Sequence, residues 1–134
     1  MVRASALQPS ADPAPAARAG AVLIVTDDYA LTRVYTATLE QAGYDVVSAT
    51  HSGNALLECL RGYRPDVLLT DLCMPDGSGP ALAERLRRYD PQMHAIYFAN
   101  PGTLLNESNI LVRPFSRDDL LSRLRKSFTA SQAS

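Results

Sequence analysis

Val67-Leu68-Leu69-Thr70-Asp71-Leu72-Cys73-Met74-Pro75-Asp76-Gly77-Ser78-Gly79 is the stretch on which the fold turns. Four residues suited to a buried strand end at a carboxylate, and the chain then breaks into a loop rich in Pro and Gly. Asp71 is thereby set at the C-terminal end of a strand. In open α/β sheets that edge is where ligands bind. Upstream, Ala21-Val22-Leu23-Ile24-Val25 is a second such run, and it stops at Thr26-Asp27-Asp28. Two strands deliver acids to one edge, and converging carboxylates suit a hard, oxygen-preferring cation such as Mg²⁺.

Outward from these runs, strands alternate with helical patterns. After the first strand, Leu31, Val34, Tyr35, Thr38, Leu39 and Ala42 recur at helical spacing until Gly43 stops the helix. Residues 44–49 read as a second strand. Ala55, Leu56, Cys59 and Leu60 mark a second helix, closed near Gly62 and Pro65. Residues 66–70 form the third strand, and Ala81, Leu82, Arg85, Leu86 and Tyr89 a third helix. Residues 95–98 and 110–112 are the fourth and fifth strands. The last helix opens on Ser116 with Asp119 three residues on, resembling a capping box, and its apolar face is Leu120, Leu121, Leu124 and Phe128. This alternation means a parallel sheet with helices on both faces and right-handed crossovers. Between Asn100 and Asn109 there is one short apolar pair beside Pro101 and Gly102, so a full crossover helix is not expected there.

Composition sets the remaining bounds. The chain has 134 residues, 46% of them hydrophobic, which is enough for one domain with a core. A net charge of -1 gives no electrostatic case for nucleic acid as a partner. No apolar run approaches membrane-spanning length, so no membrane partner is expected. Cys59 and Cys73 are read as free thiols of a cytoplasmic protein. Residues 1–18, with Pro9, Pro13 and Pro15 among Ala and Ser, lack periodicity and a continuous apolar stretch, so they read as a disordered tail rather than a targeting signal. The domain is placed at residues 19–128, with 129–134 as a second tail.

Four stretches together resemble the response-regulator receiver domains of two-component signalling: VLIVTDD at Val22–Asp28, EQAGYDVVSA at Glu40–Ala49, RPDVLLTDLCMPDGSG at Arg64–Gly79, and LVRPF at Leu111–Phe115. The resemblance implies a flavodoxin-like, doubly wound five-stranded parallel sheet of order 2-1-3-4-5, here with a shortened or missing fourth helix. It implies that Asp71 is the phosphoacceptor. It further implies that Asp27, Asp71 and the backbone carbonyl of Cys73 hold Mg²⁺, weakly, and that Pro114 follows a cis peptide bond. The partners implied are a histidine kinase or phosphotransfer protein, or another signalling protein.

The chain departs from the family's pattern at four positions. Thr26 stands where the first acid of the pair belongs, Ala99 where a Ser or Thr closes strand four, Arg113 in place of lysine, and Ile110 in place of an aromatic. Phosphoryl transfer to a carboxylate needs an attacking oxygen and cations on the transferring oxygens. Asp71 can supply the first. Arg113 keeps a positive charge, but its planar guanidinium favours carboxylate geometry and is expected to hold Asp71 in a standing ion pair. Without the Ala99 hydroxyl and an aromatic at 110, the coupled movement that reports phosphorylation loses both ends.

The expectation is therefore a stand-alone, non-enzymatic receiver acting through protein–protein contacts. The alternative is a scaffold indifferent to phosphorylation. A phosphatase on this fold would want an acid at position 73, where Cys73 stands, and a flavin carrier would not put Asp27-Asp28 against a phosphate. Asp28 reads as a helix N-cap, His51 and His94 as ordinary surface or edge residues, and Cys73 as a silent thiol.

Overall fold

The computed structural model describes residues 20–74, 77–102 and 109–133, with side chains to residue 128. Its elements in chain order are β1 (Gly20–Val25), α1 (Tyr29–Gln41), β2 (Tyr44–Ala49), α2 (Ser52–Leu60), β3 (Val67–Asp71), α3 (Gly79–Leu86), β4 (His94–Ala99), β5 (Ile110–Val112) and α4 (Arg117–Ala133). The five strands form one parallel sheet of order β2-β1-β3-β4-β5. That is the doubly wound order expected. The expected gap in the helical layer falls on residues 103–108, which lie outside the described residues, as does the expected tail at residues 1–18.

Successive side chains on a strand point to opposite faces, and the buried residues of β1 divide accordingly. Leu23 and Val25 pack with Leu68 and Tyr97 against Ala55 and Cys59 of α2 and Leu82, Ala83 and Leu86 of α3. Val22 and Ile24 pack with Leu69, Ile96 and Phe98 against Leu39 of α1 and Leu120 and Leu124 of α4. Both faces of the central strands are covered, which is why those strands read as unbroken apolar runs.

The helix ends follow their local chemistry. The Asp28 carboxylate accepts from the Leu31 N–H at 3.1 Å and caps α1. Ser78 accepts from the Ala81 N–H and caps α3, with Pro80 in its first turn. Before α4, Ser116 Oγ accepts from the Asp119 N–H at 3.0 Å while the Asp119 carboxylate accepts from the Ser116 N–H at 3.1 Å, a reciprocal capping box. The backbone of α4 continues past Phe128, where the apolar pattern had placed the domain's end. Tyr89, expected in the third helix, lies beyond the end of α3 and is exposed, and two residues assigned by spacing to helix faces point outward instead: Val34 of α1 and Leu60 of α2. Helical spacing defines a stripe, and both lie at the margin of theirs.

The loop after β3 is held close to the sheet. Cys73–Met74 and Gly77–Ser78 pair as a short antiparallel ribbon where the Pro/Gly-rich sequence predicts a loop. The Gly79 N–H donates to the Leu72 carbonyl at 3.0 Å. A Cβ at Gly79 would collide with the Asp71 backbone carbonyl oxygen and meet the Tyr97 ring at 2.8 Å. Gly79→Ala should therefore lower the unfolding free energy by about 1–3 kcal/mol, the usual cost of overpacking. Urea denaturation checks this, and unchanged stability would mean that the loop moves aside freely.

Candidate functional site

The C-terminal edge of the sheet gathers side chains far apart in sequence. Val25 is in register with Thr70, Asp71 with Phe98, and Ala99 with Val112. Thr26, Asp71, Asn100 and Arg113 thus leave four neighbouring strands at one level. They line a cleft of about 410 Å³ together with Asp27, Asp28, Leu31, Leu72, Cys73, Phe98 and Ala99.

Asp71 sits at the centre, with its side chain 16% exposed. One oxygen, Oδ2, accepts from the Thr26 hydroxyl at 2.7 Å. The other, Oδ1, accepts from Arg113 Nη2 at 2.6 Å in an ion pair. The standing ion pair expected from an arginine at 113 is present. The peptide bond between Arg113 and Pro114 is cis, as the resemblance implied.

Arg113 is seated as well as paired. Its guanidinium carbon lies 5.4 Å from the centre of the Phe98 ring. Phe98 packs against Tyr35 at 5.2 Å and Phe115 at 5.4 Å, and Tyr35 and Phe115 stack at 5.7 Å. A third contact runs from Arg113 Nη1 to Asn100 Oδ1 at 3.4 Å. The Arg113 Nε is buried without an acceptor. Partial burial by itself lowers the guanidinium's pKa, but the hydrogen bond and charge of Asp71, with Tyr35, together raise it above its ordinary value. Burial likewise raises the Tyr35 phenol, and Arg113 beside it pulls in the other direction. The arginine is therefore a fixed cation.

The other residues singled out in the sequence divide clearly. Asp27 is exposed on the cleft wall. Asp28 also lines the cleft, but one of its oxygens caps α1. Cys73 lines the cleft with an exposed thiol, whereas Cys59 is buried in the core and burial raises its pKa. His51 precedes α2 without capping it through its side chain, and His94 opens β4 at the opposite edge of the sheet. Neither histidine lines the cleft. The aromatic seat of Tyr35, Phe98 and Phe115 is not legible in the sequence: each ring belongs to an apolar stripe or a motif, and no spacing rule connects α1, β4 and the turn after β5.

The resemblance implies Mg²⁺ at this acidic edge, and the donors present decide the fit. Asp71 has an oxygen on each of two protein donors, and the Thr26 hydroxyl gives its hydrogen to Asp71. Mg²⁺ favours carboxylates and water over a neutral hydroxyl. Among the described residues no three His, Cys, Asp or Glu side chains are grouped to hold an ion. As arranged, the cleft does not fit a divalent ion at Asp71.

The response regulator receiver domain model matches residues 22–125. The chain belongs to that family. It is 30% identical over 120 residues to the response regulator receiver protein CpdR of Brucella abortus, covering 82% of this chain and 98% of CpdR. It is 29% identical to the transcriptional regulatory protein TrcR of Mycobacterium tuberculosis, but spans only 43% of that protein's length. The fold matches a response regulator receiver protein of Sinorhizobium medicae with a TM-score of 0.75 at 24% identity, covering 84% of this chain and 97% of that one. The receiver domain of the hybrid histidine kinase CckA matches with a TM-score of 0.68 at 26% identity, covering 81% and 98%. Relatives of this family are signalling proteins. No helix among the described residues is long and apolar enough to cross a membrane.

The Arg113–Asp71 pair lies between the exposed and fully buried extremes, so its coupling should be intermediate. A double-mutant cycle of Arg113→Met and Asp71→Asn, read by urea unfolding, should give about 1–2 kcal/mol. A coupling near zero would mean that solvent screens the pair.

Proposed function

We propose that this receiver domain acts in two-component or phosphorelay signalling by binding another protein in the cytoplasm, with Asp71 as the phosphoryl-accepting residue and a reduced conformational switch. The observation that carries the reading is the position of Asp71, at the end of the central strand and in the floor of a cleft, beside a fixed cation. A carboxylate oxygen would attack the phosphorus of a phosphohistidine on a histidine kinase or phosphotransfer protein. The P–N bond breaks, the phosphoryl group passes to Asp71, and the imidazole leaves with a proton. The Arg113 charge is placed to offset charge on the transferring oxygens. One Asp71 oxygen must first leave its protein donor, which slows the reaction relative to an unpaired carboxylate.

The switch is reduced because its two ends are apolar and packed. Ala99 is buried and has no hydroxyl to close on a phosphoryl oxygen. Ile110 is buried in the core, and its carbonyl accepts from Arg123 of α4 at 2.7 Å. A ligand shifts an equilibrium only through contacts that differ between the two states. The same residues, with the standing ion pair, favour a second reading in which the partner is bound whatever the state of Asp71.

Incubation with acetyl phosphate, with and without Mg²⁺, followed by intact mass measurement, tests the first reading. The expected product carries one phosphoryl group, and Asp71→Asn abolishes it. A phosphorylated Asp71→Asn protein would overturn the assignment, and an unmodified wild type would leave the scaffold reading. Beryllofluoride should shift backbone amides near Asp27, Asp71 and Arg113 only. Shifts spreading through β4, β5 and α4 would reveal a working switch.

A further inference from the structure

We propose that Arg113, seated on the Tyr35–Phe98–Phe115 cluster, is the cleft's built-in counter-cation and excludes divalent ions from Asp71. This goes beyond the signalling role, because it concerns what neutralises the free carboxylate and stands whether or not Asp71 is a phosphoacceptor.

Three independent observations converge on it. The guanidinium takes Asp71 Oδ1 at 2.6 Å, a short charge-assisted contact. The other oxygen is taken at 2.7 Å by Thr26, a residue that offers a divalent ion only a neutral oxygen. The guanidinium also rests on the Phe98 face, within the distance at which a cation gains from a ring quadrupole. Phe98 is fully buried and braced by two further rings, so this seat cannot swing away with the side chain it supports. A lysine ammonium could reach Asp71 but lacks the planar group that stacks on a ring.

An ion approaching Asp71 would have to displace the guanidinium and face its charge at close range. Repulsion between a divalent ion and a nearby fixed positive charge is large enough to set affinity. Asp27 and Asp28 on the cleft wall can attract an ion toward the mouth. They do not free the Asp71 oxygens.

The test titrates Mg²⁺, and then Mn²⁺, into the full chain with no phosphoryl donor present, following backbone amides by NMR. The wild type should show no saturable shift at Asp71 in the millimolar range. Arg113→Gln should bind at least about tenfold more tightly. Phe98→Leu, which keeps the arginine and removes its seat, should fall between them. Adding Asp71→Asn to Arg113→Gln should abolish the gain, and its persistence would put the ion elsewhere and overturn the proposal. Equal behaviour of wild type and Arg113→Gln, whether both bind or neither does, would also overturn it. Circular dichroism melts confirm that each variant is folded, and Arg113→Lys, expected to bind more tightly than wild type, serves if the glutamine variant is not. The absence of phosphoryl donor keeps this outcome separate from that of the mass measurement.

Discussion

The contact between Arg113 and Asp71 joins the edge of the sheet to its middle. β5 has three residues and pairs with β4 on one side only, so its own ladder gives it little support. Arg113, the next residue along, reaches past the end of β4 to β3, and Thr26 meets the same carboxylate from β1. One side chain thereby ties together the ends of three strands. From the far side, Arg123 of α4 donates to the Ile110 carbonyl and holds the other end of β5. The position of the last strand, and hence of the cleft's far wall, depends on these polar contacts.

The same contact gives the site its chemical character. A carboxylate meant for nucleophilic attack needs an oxygen within reach of phosphorus. Here both oxygens are held by protein donors, and the cation among them cannot dissociate into solvent. The aromatic cluster beneath it belongs to the core on the α1 and α4 side of the sheet. Core packing and site electrostatics therefore meet at Phe98, which is at once a core ring and the surface on which the guanidinium lies. A change there acts on the site through Arg113 without touching Asp71.

Ala99 and Ile110 have a packing consequence too. Ala99 and Ile110 are both buried in the cluster that holds Leu68, Leu82 and Tyr97. Aliphatic groups in a close-packed interior have one arrangement of low energy and no polar partner to exchange. This side of the sheet is consequently closely packed.

Much of the architecture follows from local chemistry. The runs at 21–25 and 67–70 are apolar on both faces, which only a strand covered by helices can satisfy, and the caps at Asp28 and Ser116 are completed by groups three residues away. Such features are short-range and can be read from the chain. The resemblance carried Asp27, Asp71, Cys73 and Arg113 to one edge, and the parallel register of the strands sets that edge. The ion pair with Arg113 was legible from the residue at that position; what the linear order could not fix is that Thr26, 45 residues from Asp71, takes its other oxygen, and that the arginine rests on a seat of three rings from three separate segments. The outward turn of Val34 and Leu60 and the pairing of Cys73–Met74 with Gly77–Ser78 were decided in the same way. Each depends on distances between segments, which arise only when hydrophobic burial has set the helices on the sheet and closed the cleft around the carboxylate.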